Sequence, residues 1–390
     1  MKTRLGILGG GQLGQMLCIA AKESKNEELR ASGVETFVLD PSADCPAANV
    51  CSNFTQGDFR NAEDVLAFGE KVDVLTIEIE HVNTDALTKL AEKGVRVHPS
   101  PEIISCIQDK GSQKQFYRNN QIPTAPPFDG IATVVETADE IRQYANKHNI
   151  FPFVQKLCKG GYDGRGVFVV RSPDDLDRLL EGASVVERFV EIEKELSVIV
   201  AQNANGETVC FPPVEMAFNS EANLVEFVSC PASVSSQVSA ECEKIATDIA
   251  KVWNLRGILA VEMFLLKDGA VIVNESAPRP HNSGHHTIEA CVTSQYEQCL
   301  LAVLGLPLGD TSLKIPSVMV NILGEPGHSG DAVYKGLEES MKVEGANFHI
   351  YGKRQTKPFR KMGHVTVVDE NMESAFEKAR SIKQNLKVVS

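Results

Sequence analysis

The first hundred residues alternate short apolar runs with helical patterns, and this alternation constrains the fold more than any other feature of the chain. The apolar, strand-like runs lie at residues 4–8, 35–39, 72–79 and 95–97. Strands separated by helices form a parallel sheet, because right-handed crossovers connect them. We therefore predict an α/β fold, α+β in parts, that begins with a Rossmann-like parallel sheet.

Two further regions follow this sheet, since a chain of 390 residues is long enough for two or three domains. The proline-rich stretch Pro123–Pro127 is typical of a boundary. Mixed short strands and helices continue to about residue 186. The larger third region has its clearest helix at 241–254. The apolar residues expected on one face of that helix are Ile245, Ile249, Val252 and Trp253.

The charge balance narrows the range of partners. The formal net charge is −13, and nucleic-acid binding needs a broad basic surface, so we expect no nucleic-acid partner. Ten cysteines without a C-x-x-C pair predict reduced, mostly buried thiols. Glycines interrupt the apolar stretch near the start, and no apolar run of about 18 residues exists. We expect a cytoplasmic protein with no membrane contact.

The segment Gly9–Gly14 fits G-x-G-x-x-G between a strand and a helix. Backbone N–H groups of such a turn can hold a phosphate at the helix N-terminus. One alternative is a dinucleotide site in which Asp40 holds a ribose, although Asp40 follows Gly14 at a long spacing. The other alternative is a purely structural tight turn.

A second feature is a hairpin with two facing carboxylates. Asp268-Gly269 between strand-like runs predicts a two-residue loop with Lys267 opposite Ala270. That register places Glu262 directly opposite Glu275. Paired carboxylates repel unless a cation lies between them, and oxygen ligands of this kind suit Mg²⁺ with nucleotide phosphates. The alternative is a carboxylate pair at a solvated strand end.

Three loops concentrate polar or glycine residues. The loop 278–286 holds Arg279, an asparagine and several histidines, and it is typical of anion handling, with a plain surface loop as the alternative. The loop 160–166 has four glycines downstream of Lys156, which favours a lid over phosphates or else a mobile hairpin. The segment 353–361 has five basic residues and no acid, so it is a candidate phosphate site or a solvated loop.

Five segments carry a joint signal over nearly the whole chain: Gly6–Gly14, Gly160–Gly166, Asn274–His285, Tyr351–Lys353 and Arg360–His364. Together they resemble the ATP-grasp enzymes and, within them, the N5-carboxyaminoimidazole ribonucleotide synthetases of purine biosynthesis. The resemblance implies an ATP-grasp fold with an N-terminal domain at 1–108, a central lid domain at 109–186 and a C-terminal domain at 187–390.

The resemblance also implies a reaction. ATP phosphorylates bicarbonate to carboxyphosphate, and the amine of aminoimidazole ribonucleotide captures the carboxyl group, with ADP and phosphate as the other products. Carboxyphosphate decomposes in water, so the chemistry needs neutralised phosphates and a closed site. The implied cofactors are ATP and Mg²⁺, and the implied assembly is a homodimer. We expect a separate mutase to act on the product, because no fused mutase domain fits after residue 390.

The resemblance assigns roles to individual residues. The implied catalytic residues, for bicarbonate and the developing carboxyphosphate, are Arg279, His281 and Asn282. The implied nucleotide ligands are Lys110, Lys156, Tyr162, Asp163, Gly164, Glu187, Val190, Glu195 and Asn274. The implied ribonucleotide ligands are Gly11, Gln12, Leu13, Glu80, Arg165, Lys353 and Arg360, of which the last two would take the 5′-phosphate. The implied Mg²⁺ ligands are Glu262 and Glu275.

Two points stay open at this level. Glu78 and Glu80 should share a face of their strand, and either could contact the ribonucleotide. Lys159 stands where relatives usually have another residue, which leaves its role open. The alternative functions are another ATP-grasp ligase acting on a ribonucleotide, a dinucleotide-dependent oxidoreductase and a non-catalytic nucleotide-binding protein.

Overall fold

The predicted parallel sheet is present in the computed structural model of the chain, which describes residues 2–161, 166–218 and 224–390. Its five strands run in the order β3-β2-β1-β4-β5, and every pair is parallel. The strands are β1 (Arg4–Leu8), β2 (Glu35–Asp40), β3 (Asn53–Gln56), β4 (Val74–Ile77) and β5 (Arg96–Val97). The helices of this region are α1 (Gln12–Glu23), α2 (Glu27–Ser32), α3 (Ala62–Gly69), α4 (Thr84–Glu92) and α5 (Pro101–Ile107), with a 3₁₀ turn at Pro46–Asn49.

A small antiparallel sheet forms the central region. Its strands are β6 (Phe153–Leu157), β7 (Val167–Val170) and β8 (Ser184–Arg188), in the order β7-β6-β8. The helices of this region are α6 (Lys110–Asn119) and α7 (Ala138–His148), with a 3₁₀ turn at Pro173–Arg178. The apolar face of α7 packs on the small sheet, whereas Tyr117 of α6 lies in the core of the third region. The predicted boundary at 186 falls inside β8, and the three-domain division stays a prediction.

A large antiparallel sheet organises the third region. Its main path is β14-β13-β9-β11-β12-β15-β20-β18, and β10 pairs with β9. The strands of this region are β9 (Ile192–Gln202), β10 (Thr208–Cys210), β11 (Val214–Phe218), β12 (Val225–Cys230), β13 (Gly257–Leu266), β14 (Val271–Ala277), β15 (Ser317–Leu323), β16 (Gly330–Asp331), β17 (Val333–Lys335), β18 (Ala346–Ile350), β19 (Gln355–Thr356), β20 (Lys361–Val368) and β21 (Lys387–Val389). The helices are α8 (Ser236–Val252), α9 (Thr287–Ala290), α10 (Gln295–Leu304), α11 (Leu337–Ser340) and α12 (Met372–Asn385), with a 3₁₀ turn at Asn282–Gly284.

The helix predicted at 241–254 differs from the prediction at both ends, since it spans Ser236–Val252. It begins five residues earlier, at Ser236, because the Ser235 side chain accepts a hydrogen bond from the Val238 amide and caps the first turn. Val252 is 47% exposed and does not belong to the buried face. Trp253 follows the helix and stacks on Phe116 of α6, with ring centroids 4.4 Å apart.

All ten cysteines are free, and seven of them are buried. Within residues 2–161, 166–218 and 224–390, no helix combines the length and the hydropathy needed to cross a membrane.

Candidate active site

The two carboxylates of the hairpin face each other, but the loop differs from the prediction. Glu262 on β13 pairs with Glu275 on β14, which confirms that part of the register. The loop has three residues, since the Leu266 amide donates to the Ala270 carbonyl and Gly269 has a φ of +86°. The predicted pairing of Lys267 with Ala270 is therefore wrong.

A β-bulge compensates for the longer loop. Met263 pairs with Val273, and the register shifts between Met263 and Glu262, so that Asn274 is the extra residue on β14. A bulge redirects the side chain of its extra residue. The Asn274 side-chain carbonyl accepts a 2.9 Å hydrogen bond from Lys156, and the bulge thus joins the hairpin to the small sheet.

Two lysines approach this hairpin from the central region. Lys110 begins α6 and pairs with Glu275, while Lys156 on β6 lies 2.9 Å from Glu187 on β8. Burial would raise the pKa of Glu275, but the Lys110 ammonium outweighs it and holds the pKa below its usual value. The two predicted phosphate-binding lysines thus meet the hairpin at neighbouring residues, Lys110 at Glu275 and Lys156 at Asn274.

Lys114 is a functional candidate that the sequence interpretation missed. It lies one helical turn after Lys110, and its ammonium is 2.7 Å from the other oxygen of Glu187. Burial would raise the pKa of Glu187, yet the ammonium groups of Lys156 and Lys114 lower it to about 2. The i, i+4 spacing of two lysines on one helix face was the signal that could have found it.

Glu195 lies on β9, beside the carboxylate pair. It pairs across the sheet with Phe264, and Glu262 pairs with Ser197 of the same strand. Burial and the charge of Glu262 raise the pKa of Glu195 to about 7. This face of the large sheet therefore concentrates negative charge where a bound cation would relieve it.

The loop 278–286 connects the hairpin to the N-terminal sheet. Arg279 lies 2.6 Å from Glu80, and His281 Nε2 lies 3.2 Å from Glu262. The Asn282 side chain exchanges two hydrogen bonds, of 2.8 and 2.9 Å, with Asn321. Arg279 thus contacts the N-terminal region and His281 contacts the hairpin, whereas the side-chain amide of Asn282 already has a protein partner.

The glycine turn does not present free amides to a phosphate. The Gly11 and Gly14 amides donate to the two oxygens of Glu78, at 3.1 and 3.2 Å. The Gly10 amide donates to Asp40 at 2.7 Å. The phosphate cradle expected from the sequence is therefore filled by carboxylates of the chain itself, and the ribose role considered for Asp40 is taken by a backbone contact.

Glu78 and Glu80 have different partners. The strand β4 ends at Ile77, so the alternation that would place both on one face does not extend to them. Glu78 is buried beneath the turn, and burial raises its pKa. Glu80 instead reaches Arg279, which makes Glu80 the carboxylate that borders the open part of the site.

The basic segment contributes Lys353 to the same region. Its ammonium donates to Gln12 at 2.9 Å and to the Lys361 carbonyl at 2.7 Å. Burial and the neighbouring charge of Arg360 lower the pKa of Lys353 to about 8. Arg360 donates to the Gln355 carbonyl. The segment therefore meets the N-terminal turn through Lys353 and Gln12.

The remaining predicted residues make no described contact with the carboxylate pair or with the lysines beside it. Leu13 is 7% exposed and belongs to the core, so its side chain is not available to a ligand. Val190 lies between β8 and β9. Lys159 is exposed, with its ammonium 3.8 Å from Asp109. The predictions for Tyr162, Asp163, Gly164 and Arg165 fall outside the described residues.

The arrangement suits an anionic ligand held with a cation. Lysine ammoniums can bind phosphates, and a facing carboxylate pair supplies hard oxygen ligands. Among the residues that the structure describes, no group of three or more His, Cys, Asp or Glu side chains is placed to hold a metal ion. A cation at Glu262 and Glu275 would therefore share its shell with ligand oxygens and water.

Three family models match successive parts of the chain. Residues 1–108 match the ribonucleotide synthetase preATP-grasp domain, and residues 115–296 match the ATP-grasp domain. Residues 317–378 match the phosphoribosylaminoimidazole carboxylase C-terminal domain.

Two curated relatives extend this match. The chain is 37% identical to the N5-carboxyaminoimidazole ribonucleotide synthase of Bacillus subtilis, over 94% of this chain and 91% of that protein. It is 37% identical to the chloroplastic phosphoribosylaminoimidazole carboxylase of Vigna aconitifolia, over 95% of this chain but only 65% of that protein. The chain thus spans slightly less than two thirds of the length of the plant relative.

Solved structures agree with the curated relatives. N5-carboxyaminoimidazole ribonucleotide synthetase from Thermotoga maritima superposes with a TM-score of 0.88 at 42% identity, over 100% of this chain and 99% of that chain. The Aspergillus clavatus N5-carboxyaminoimidazole synthase, in complex with ADP and 5-aminoimidazole ribonucleotide, gives a TM-score of 0.85 at 31% identity, over 98% of both chains. The chain therefore belongs to the ATP-grasp family of N5-carboxyaminoimidazole ribonucleotide synthases.

Proposed function

We propose that this chain carboxylates 5-aminoimidazole ribonucleotide with bicarbonate at the expense of ATP. The products would be N5-carboxyaminoimidazole ribonucleotide, ADP and phosphate. The observation that carries the proposal is that Lys110 contacts Glu275 and Lys156 contacts the adjacent Asn274, while His281 contacts Glu262, the residue paired with Glu275. The Aspergillus relative, which was solved with ADP and the same ribonucleotide, supports the choice of substrates.

The nucleotide would lie between the small sheet and the hairpin. Lys110 and Lys156 reach this space from α6 and β6, and in the protein alone they pair with Glu275 and Glu187. Phosphate oxygens can replace such carboxylate contacts, since both are charge-assisted acceptors of the same ammoniums. Glu195, on the neighbouring strand β9, is the proposed ribose ligand, and the 187–190 segment is the proposed adenine contact.

Mg²⁺ fits the donor set at the hairpin. Glu262 and Glu275 offer only oxygen atoms, and magnesium prefers a few carboxylates completed by phosphates and water. When bound, the ion would neutralise phosphate charge during transfer. We propose these two residues as its ligands, with Asn274 beside them.

The protein residues around the hairpin would position bicarbonate. The Arg279 guanidinium can bind a small oxyanion. Glu80, at 2.6 Å, fixes this guanidinium between the hairpin and the N-terminal sheet. His281 is oriented by Ser283, whose hydroxyl lies 2.9 Å from Nδ1. These groups would hold the carboxyl donor next to the ribonucleotide amine and exclude water from the reactive intermediate.

The ribonucleotide would lie against the N-terminal sheet. Glu80, Gln12 and Lys353 border this side, and Arg360 extends the positive charge near Lys353. We propose that Lys353 and Arg360 take the 5′-phosphate, since the glycine turn offers its amides to Glu78 and Asp40 instead. That occupation also disfavours the dinucleotide-dependent oxidoreductase.

One assay tests the proposal. ADP formation is measured with ATP and Mg²⁺ while the ribonucleotide and bicarbonate are added separately and together. We expect ADP to accumulate fastest when both are present, because each is consumed in the reaction. Absence of any stimulation by the ribonucleotide would refute the proposal, and stimulation by another amine would favour a different ATP-grasp ligase.

The family resemblance adds two smaller proposals. We propose a homodimer, which analytical ultracentrifugation at micromolar concentration would test. We also propose a cytoplasmic location, which fractionation of cells that carry the protein would test. A monomeric species or a membrane-associated fraction would contradict the respective proposal.

A further inference from the structure

Lys114 is a buried lysine that the proposed chemistry does not use. Its side chain is 3% exposed, and that of its partner Glu187 is 2% exposed, with 2.7 Å between their charged atoms. The same ammonium donates a 2.5 Å hydrogen bond to Thr124. An ammonium sealed from water needs a compensating charge, so the position of Lys114 requires a physical explanation.

Glu187 carries a second ammonium. Lys156 lies 2.9 Å from its other carboxylate oxygen, and this side chain is 11% exposed. Burial lowers the pKa of Lys114 to about 8, and the charge of Glu187 opposes that effect. Two ammoniums and one carboxylate thus form a triad, Lys114–Glu187–Lys156, with a net charge of +1 near neutral pH.

The two lysines of the triad differ in what they face. Lys156 also donates to Asn274, the bulge residue that precedes Glu275, and so it borders the proposed nucleotide space. Lys114 is held on the other side of Glu187 by Thr124, whose hydroxyl donates to the Val273 carbonyl at 2.9 Å. The ammonium of Lys114 is therefore fixed in the interior, and the ammonium of Lys156 is the one that can reach a ligand.

The charge balance explains why both are present. If Lys156 were the sole counter-ion of Glu187, moving it towards a phosphate would leave a buried carboxylate uncompensated. Lys114 removes that penalty, because it stays beside Glu187 whether or not a ligand is bound. It also keeps the triad positive, which favours an anionic ligand at Lys156.

We propose that Lys114 is a positioning residue for nucleotide binding, the permanent counter-ion of Glu187 that leaves Lys156 available for the phosphates of a nucleoside triphosphate. The inference rests on the proposed function, because it takes ATP as the ligand of Lys156. It concerns binding alone, and it therefore needs no turnover to be tested.

The test compares a variant that removes the charge of Lys114 with one that keeps it, by isothermal titration calorimetry with ATP and Mg²⁺. Lys114→Met brings the triad to zero net charge, and we expect the Kd for ATP to rise about tenfold or more. Lys114→Arg keeps the +1 charge of the triad, and we expect its Kd to stay within about threefold of the wild type. Lys378→Met is the matched control, since it breaks the pair between Lys378 of α12 and Asp369, and α12 packs against β15 and β20.

Each outcome bears on a distinct claim. Unchanged ATP binding by Lys114→Met, or ATP binding by Lys114→Arg that is no tighter than that of Lys114→Met, would overturn the inference. If Lys114→Met does not fold, as judged by circular dichroism, Lys114→Gln replaces it, because it makes the same change of charge with a side chain that can donate a hydrogen bond to Glu187. Failure of the wild-type protein to bind ATP would instead refute the proposed function.

Discussion

The glycine turn and the carboxylate hairpin both bring carboxylates against positive groups, but they differ in what remains for a ligand. At the turn, the amides of Gly10, Gly11 and Gly14 are taken by Asp40 and Glu78. At the hairpin, ammoniums from two elements reach Glu275 and Asn274, and each carries a full positive charge. A glycine-rich motif therefore does not by itself identify a phosphate site.

The difference has a simple electrostatic basis. A backbone N–H carries only a partial charge and donates one strong hydrogen bond, so a buried carboxylate that accepts it satisfies it fully. An ammonium carries a full charge and three donors, and it can keep one protein partner while it binds a ligand. The hairpin can accept a new anion more readily than the turn.

The largest effect is expected at the hairpin. Glu275→Gln removes a proposed Mg²⁺ ligand and the partner of Lys110, and we expect turnover to fall by about 100-fold or more. The rate of ADP formation measures the loss, and the melting temperature should show that the fold is intact. Near-normal turnover would refute the metal assignment.

The next effect is a loss of stability in acid that arises from buried histidines of the third region and not from the glycine turn. His285, His286 and His364 are buried, and burial lowers the pKa of His286 to about 4 and that of the other two well below 6.5. Below pH 6.5 the unfolded chain binds protons that the folded chain does not. Stability is thus complete above that pH and falls towards pH 4 by about 1.4 kcal/mol per pH unit for each histidine.

Urea unfolding between pH 7 and 4.5 measures this loss. We expect His364→Asn to flatten the pH dependence, whereas His148→Gln, at an exposed position of α7, should leave it unchanged. Glu78 acts in the opposite direction, because burial raises its pKa and its contribution to stability is full in acid and lost as the pH rises. A stability that does not change with pH would contradict the neutral, buried state of these histidines.

A smaller effect is expected at the turn itself. Glu78→Ala leaves the Gly11 and Gly14 amides without acceptors, and we expect the free energy of unfolding to fall by about 1–3 kcal/mol. Glu80→Ala is the matched control, since Glu80 contacts the Arg279 side chain and no turn amide. Equal losses from both variants, measured by urea unfolding, would show that the turn does not depend on Glu78.

The sequence predicted the parts of the molecule that local periodicity determines. Alternating strands and helices predicted the parallel sheet, and the two runs around Asp268-Gly269 predicted that Glu262 faces Glu275. The periodic pattern does not report which distant groups meet. Glu78 accepts the hydrogen bond of the Gly14 amide although the two residues are 64 positions apart in the sequence. Lys114 meets Glu187 only because α6 packs beside β8.

The prediction that Glu262 faces Glu275 was correct because two differences from the predicted hairpin cancel each other. Gly269 adopts a left-handed conformation and lengthens the loop by one residue, and the bulge at Asn274 then restores the register. Neither departure is visible in the alternation of apolar residues, because a bulge changes the pairing without changing composition. The bulge is also what presents Asn274 to Lys156, so the irregular position carries a functional contact.

The smallest expected effect tests whether the bulge isolates the carboxylates from the loop. A Cβ at Gly269 meets no atom within 4 Å, but the φ of +86° strains any L side chain. We expect Gly269→Ala to lower the free energy of unfolding by about 1 kcal/mol and to leave turnover unchanged. Gly206→Ala is the matched control, because Gly206 has a φ of +80° and equally open space in another loop. If Gly269→Ala alone reduced ADP formation, the loop would set the spacing of Glu262 and Glu275 despite the bulge between them.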